Sequence, residues 1–320
     1  MKIRNLKKII VAVGCVALLS ACKKDSQNIF NMFNDVTVTY NNSSPLAVTD
    51  YKLVNDGDSV YIDYTINSAV EDIYSVVVER TAGGKGNAIE RNTIAVSDNS
   101  RRRAYRDLLK LKIQRDGKLS YRVYALNQKG VYIGDGYKKV VIEGKPSYTF
   151  LTNRVIYLPD TLGKILPSFF SLRDGVSYSY TDGLANSSKI DFGIYRRPTT
   201  DASNPWVYNL YATNVPVNPL TVYDISAWQK RATKFAAPQT SQNDPFTYTA
   251  VSASVIESLV KARNPTLSAT VATTYGTGLL PGSSISFLTP EGKYGILFIN
   301  AVSSDLDRKP FINVSVKIQN

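Results

Sequence analysis

The chain of 320 residues contains no histidine. That absence removes Ser-His-Asp and Cys-His triads, histidine-ligated zinc and imidazole acid–base chemistry. Cysteine occurs twice, as Cys15 and Cys22, both near the N-terminus. No disulfide framework can staple the rest, so burial alone must hold the folded domains together. After Leu19 no apolar run approaches the ~18 residues of a membrane-spanning helix. Long amphipathic segments are scarce, and the one glycine-rich connection, residues 81–87, leads into another strand-like run and not a helix. A phosphate-cradling loop needs that helix, so nucleotide binding is set aside.

What the sequence has is concentrated at its start. Lys2, Arg4, Lys7 and Lys8 precede an 11-residue apolar run from Ile9 to Leu19, too short to span a bilayer comfortably. Leu19-Ser20-Ala21-Cys22 follows. This arrangement resembles a bacterial lipobox, in which small residues fit a peptidase cleft and the cysteine thiol takes the lipid. The resemblance implies a signal peptide over 1–21, lipidation of Cys22 and a tether over 22–33. An uncut N-terminal membrane helix is the alternative. Lys23-Lys24-Asp25 places no acid directly after Cys22. Cys-Lys-Lys-Asp is similar to the export tag of Bacteroidetes surface lipoproteins. The implied location is the outer membrane, lipid-anchored and exposed at the cell surface. Nucleic acid is then not an expected partner. From Cys22 onward there are 34 basic and 26 acidic residues, a net charge of +8. Such a balance fits either an anionic partner or simple solubility.

Strand-forming residues dominate, with 21 Tyr against 2 Trp. The expected fold class is all-β: two β-sandwich-like domains, the second with one short helix. In the first, over 34–145, Val60, Ile62, Tyr64 and Ile66 share one face, and Tyr74, Val76 and Val78 share another. Residues 121–130 read Tyr-Arg-Val-Tyr-Ala-Leu-Asn-Gln-Lys-Gly. This resembles strand F and the following turn of fibronectin type III domains. The resemblance implies Tyr121, Val123 and Ala125 in the core, Asn127 and Gly130 shaping the turn, and a Tyr121 hydroxyl bonded to upstream backbone. It implies a fold and carries no site.

Lys145-Pro146 marks the expected boundary, with a jelly-roll-like sandwich over 146–320. Alternation predicts strands at 176–181 and 190–195, a hairpin over 284–299 and a closing strand over 311–318. Ser254-x-x-Glu257 predicts a capping box opening a helix that Asn264-Pro265 ends. Ser226–Arg231 reads as a shorter helical turn. The segments 171–176, 189–193 and 292–297 resemble C-terminal modules of Bacteroidetes lipoproteins, several of them encoded beside polysaccharide-utilisation machinery.

Trp206, Tyr208 and Tyr211 lie in or beside a proline-punctuated loop over 198–219, with Tyr223 and Trp228 following. Flat aromatic faces stack on pyranose rings, and amides such as Asn204, Asn209 and Asn214 bind hydroxyls. The same aromatics would equally serve as minor core beneath a long loop. The run Arg101, Arg102, Arg103, Arg106, Lys110, Lys112, Arg115 and Lys118 suits an acidic glycan or lipid phosphates, or a solvated strand face. Glycosidase chemistry needs two facing carboxylates, and after residue 146 the only glutamates are Glu257 and Glu291. Asp305 and Asp307 lack the rest of a calcium loop. No cofactor or metal is expected, and no enzyme. The reading is a non-catalytic surface lipoprotein that binds polysaccharide. The alternative is a structural, adhesive or accessory subunit with a surface protein partner.

Overall fold

The computed structural model describes residues 36–83, 89–134 and 137–320. Cys22, the leader over 1–21 and the tether over 22–33 lie outside the described residues, as do residues 84–88 of the glycine-rich connection. The chain is all-β, with short helical segments between strands. It forms two compact units. Among the described residues, one comprises 36–50, 61–109 and 120–141; the other comprises 51–60, 110–119 and 142–320. The boundary expected at 145/146 falls just after the start of that last segment.

The N-terminal strands make two sheets. Strands β1 (Val36–Tyr40), β3 (Ser59–Ser68) and β6 (Ala104–Lys112) form one, in the order β1-β3-β6. The other runs β2 (Tyr51–Val54), β9 (Lys139–Gly144), β7 (Gly117–Leu126), β4 (Ser75–Ala82), β5 (Ile89–Ala95), with β8 (Tyr132–Ile133) pairing on β7. Alternation does its expected work here: Val60, Ile62, Tyr64, Ile66, Val123 and Ala125 are all fully buried. Asn127 shapes its turn as expected, its Oδ1 accepting from the N–H groups of Lys129 and Val131. Gly130 supplies the left-handed backbone there, with φ 72°. The Tyr121 hydroxyl differs from expectation, because it faces the Arg80 side chain. Tyr40 makes the backbone bridge instead, donating to the Lys138 carbonyl and accepting from the Val123 N–H.

In the second unit, five antiparallel strands run in the order β10 (Tyr148–Tyr157), β18 (Pro310–Gln319), β17 (Tyr294–Ser304), β16 (Ser284–Leu288), β15 (Lys234–Phe235). Four more run β12 (Val176–Tyr178), β11 (Phe169–Ser171), β13 (Phe192–Pro198), β14 (Trp206–Ala212). From β15 to β18 the strands follow sequence order, which differs from the crossing order of a jelly roll. The two inner faces meet through Phe170, Phe192, Leu210, Phe287, Leu297 and Val314. Beyond the four-stranded sheet lies a second cluster of Phe169, Ile190, Tyr195, Tyr211, Ile225 and Trp228.

Two α-helices complete the unit where one was expected. Helix α1 (Tyr180–Asn186) interrupts the strand predicted over 176–181. The cause is Ser179, whose Oγ accepts from the Asp182 N–H and caps the helix, ending the period-2 pattern. Gly183 lets α1 lie against the Trp228 indole, since a Cβ there would fall 2.1 Å from the ring. Helix α2 (Ala253–Arg263) packs Ile256 and Val260 with Phe246, Ile296 and Phe298 on the outer face of the five-stranded sheet. Its cap is Ser252, and not Ser254 as the capping-box spacing predicted. Ser254 instead donates its N–H and hydroxyl to Asp56. Over 226–231 the chain makes a single turn, with the Trp228 N–H donating to the Ile225 carbonyl at 3.1 Å, and no helix. The predicted hairpin over 284–299 is present, with Leu288 opposite Tyr294.

Candidate functional site

The ends of β10, β13, β14 and β18 surround an open cleft of about 540 Å³. Along β14, Tyr208, Leu210 and Ala212 face the inter-sheet core. Trp206 shares that face but stands past the end of the core, so its indole is 39% exposed at the mouth of the cleft. Arg196 sits diagonally across the pairing on β13, where Arg196 opposes Tyr208 and Pro198 opposes Trp206. Its guanidinium lies 4.1 Å from the indole centroid. That cation–π contact ties the guanidinium to the ring and limits its freedom. A smaller hollow of about 120 Å³ flanks Trp206 with Tyr208, Tyr275 and Leu279.

The facing wall is the loop over 159–166. Asp160 organises it: its carboxylate accepts from the Ile165 and Leu166 N–H groups, and its carbonyl accepts from the Tyr223 hydroxyl. Burial, together with the Asp160 charge, pushes the Tyr223 phenol up to about 12. Arg308, Lys309 and Pro310 close the third side. Arg308 holds a left-handed backbone, φ 60°, in the β17–β18 turn. Lys309 pairs with Asp307 at 3.2 Å, and Asp305 accepts from the Lys309 N–H. Both acids of that Asp-x-Asp pair thus serve the turn. Among the described residues no cluster of three or more His, Cys, Asp or Glu side chains is placed to hold a metal.

The predicted aromatic platform divides. Trp206 is exposed and Tyr208 half-buried beside it. Tyr223 touches the cleft but is almost wholly buried, its hydroxyl committed to Asp160. Tyr211 and Trp228 are core residues packed edge-on to Phe169, out of reach of a ligand. Asn209 is also a correction: fully buried, it donates to the Ala272 carbonyl and accepts from the Ala272 N–H and the Thr270 hydroxyl, so its amide is used up. Asn204 bonds within its own turn, to Asp201 and Ser203. Asn214 lies outside the cleft lining. The residues that sequence reasoning missed are Arg196, Arg308, Lys309, Leu162 and Tyr275. Only tertiary pairing brings them together, and no local spacing signals it.

The basic run of the first domain is largely committed. Arg106 forks onto the buried Asp63, at 3.1 and 2.7 Å, and holds that carboxyl far below the usual range. Arg103 pairs with Asp72 at 2.6 Å. Arg101 and Arg102 stack on Tyr105 and Tyr74. Lys110 and Lys112 lie on the exposed face of β6, as the alternation predicted.

No family model matches the chain, and no curated protein matches it. Among solved structures, one that matches is the Pseudomonas fluorescens alkylpurine DNA glycosylase AlkC bound to DNA containing an abasic site analog. It is 14% identical, with 35% of this chain and 31% of that chain covered, at a TM-score of 0.23. A likeness so partial carries no argument about fold or function.

Proposed function

We propose that this chain is a lipid-anchored lipoprotein of a bacterial outer membrane, exposed at the cell surface, that binds glycan without transforming it. The lipobox-like residues at 19–22 and the basic, apolar leader support the anchoring. The fibronectin type III-like strands act as a spacer. The observation that carries the binding reading is Trp206, a half-exposed indole at the mouth of a cleft of about 540 Å³. Such a ring offers a flat face where apolar sugar faces stack. Asp160 is the one carboxylate in the cleft lining, and backbone N–H groups occupy both its oxygens. That favours retention of a sugar over hydrolysis, which takes two facing acids.

The test is a glycan array probed with the full-length chain in detergent. Binding is expected, with Trp206→Ala weakening it by about tenfold or more. Failure to bind any plant, host or microbial glycan would remove this reading. A second reading, an adhesion protein or accessory subunit of a surface complex, is favoured by Leu162 and Leu306, both fully exposed on the two turns nearest the cleft. Exposed leucines of that kind fit a protein contact. Crosslinking in outer membranes followed by pull-down separates the two: a stoichiometric protein partner without sugar binding supports the second.

A further inference from the structure

The cleft lining carries three cationic side chains, Arg196, Arg308 and Lys309, against one acid, Asp160. Arg103 and Arg106 of the basic run have acids as partners, while Arg101 and Arg102 have rings, as Arg196 has the Trp206 indole. Arg196 and Arg308 line the cleft, and among the described residues no carboxylate lies within 4 Å of either. Lys309 adds a third positive group beside them, partly offset by Asp307. The single acid in the lining, Asp160, is directed into its own loop.

Backbone geometry points the same way. Among the described residues, five other than glycine hold positive φ: Asn153, Lys164, Ser241, Asn264 and Arg308. The two basic ones are Lys164 at 55° and Arg308 at 60°; Arg308 lines the cleft, and Lys164 belongs to the loop over 159–166 without lining it. A left-handed backbone is unfavourable for a long branched-free cation and is usually filled by glycine or asparagine. Arg308 therefore brings its charge to the cleft at a cost in local conformation. Lys164 is steadied at 5.0 Å from the Tyr180 ring.

From these observations we infer that the ligand of the cleft is an acidic glycan, whose pyranose-borne carboxylate is taken by Arg196 with Arg308 and Lys309 around it. The inference rests on the glycan reading and narrows it. Arg196 is the specificity-determining group. Its guanidinium presents parallel N–H donors that match the two oxygens of a carboxylate, and the Trp206 ring 4.1 Å away restrains it at the cleft mouth. Leu158, Leu162, Leu166 and Leu220 offer the apolar contact that the body of a sugar needs. The carboxylate source is a uronic or sialic acid residue; sulfate and phosphate esters present a tetrahedral group to the same fork.

The test uses the full-length chain on an array in which each uronic- or sialic-acid glycan is printed beside its methyl-esterified and its neutral counterpart, with sulfated glycans in parallel. Binding to acidic members that falls on esterification is the expected result. Arg196→Gln should weaken it about tenfold or more, with Arg196→Lys intermediate because the charge stays and the fork is lost. Arg308→Asn should weaken it less, and it keeps the turn because asparagine tolerates the left-handed backbone. Unchanged thermal unfolding shows that each variant is folded. Equal binding to acidic and esterified members leaves a glycan-binding protein and overturns the carboxylate assignment. Preference for sulfated members, or full affinity in Arg196→Gln, overturns it too. Binding to nothing on the array removes the glycan reading and this inference together.

Discussion

The Nζ of Lys317 donates to the Phe246 carbonyl at 2.6 Å, inside the outer face of the five-stranded sheet. A second hydrogen bond reaches the Ala250 carbonyl at 2.8 Å, and the rings of Tyr148, Phe150 and Phe246 lie within 5.5 Å of the ammonium. Lys317 is only 3% exposed. Alternation along β18 predicts an outward side chain there. The helical turn Pro245–Thr249 and α2 cover that face and bury it.

Lys317 gives the fold a pH signature. Burial lowers its pKa to about 8, with the Arg115 charge contributing, against an ordinary value of 10.5. Between those values the unfolded chain binds more protons than the folded one, so stability rises with pH. The gain from pH 8 to 9.5 is about 2 kcal/mol at most, since each pKa unit is worth about 1.4 kcal/mol. Above pH 10 the buried phenols reverse the trend. Tyr40 and Tyr223, raised to about 12, keep protons that the unfolded chain releases. Urea midpoints measured at half-unit steps should climb across pH 8 to 9.5, and in Lys317→Met the climb should vanish. A flat wild-type profile would refute the assignment.

A second buried charge needs its partner. Asp191, fully buried, accepts from the Arg231 Nε and the Thr233 hydroxyl, each at 2.9 Å, and from the Leu172 N–H at 2.8 Å. Burial pushes this carboxyl above its ordinary value, and the Arg231 guanidinium works against that push. Arg231 also reaches Glu291 at 2.7 Å. Arg231→Met strands the carboxylate in the core and should cost about 3–5 kcal/mol in equilibrium unfolding. The Asp191→Leu, Arg231→Met double variant should cost less than Arg231→Met alone. A double variant as unstable as the sum of both singles would show that the pair matters through packing and not through charge.

These two buried charges mark the limit of what periodicity reveals. The hairpin over 284–299 was legible because both strands alternate cleanly and Gly292, at φ 80°, lies in the turn between them. Residues 176–181 alternate just as cleanly, yet the chain turns helical at Tyr180, because a serine cap and Gly183 against Trp228 outweigh the pattern. Asp191 reads as the polar face of a strand, but the second cluster covers that face. Of the aromatic candidates, only Trp206 and Tyr208 keep exposure, since burial depends on where the core ends and not on residue type. Arg196 and Arg308 lie on distant segments of two different sheets, and only the packing of those sheets brings them to one cleft.

Tyr211 separates core from ligand contact by experiment. Its hydroxyl is buried and has no hydrogen-bond partner among the described residues. Burial holds its phenol far above the usual range. Removing that hydroxyl as Tyr211→Phe deletes an unsatisfied group, so stability should hold or rise by up to about 1 kcal/mol. Glycan affinity should not change, whereas Trp206→Ala should reduce it. A loss of affinity in Tyr211→Phe equal to that in Trp206→Ala would return Tyr211 to the site and contradict its place in the core.

The anchoring proposal stands on residues outside the described part of the chain, and Cys22 offers a direct test of it. Two or more acyl chains on one cysteine anchor stably where a single chain does not, since each buried CH₂ contributes about 0.8 kcal/mol. Cys22→Ser removes the acceptor thiol. The described residues begin at 36, beyond it, so their folding should be untouched. The variant should then accumulate as an uncut precursor or escape into the soluble fraction. Cells fed an alkyne fatty acid should label the wild-type chain and leave Cys22→Ser dark, while far-ultraviolet dichroism of the two purified chains stays the same. Label retained in Cys22→Ser, together with wild-type fractionation, would remove the lipid anchor. The surface location drawn from it would go as well, while the cleft and its carboxylate test would stand on their own geometry.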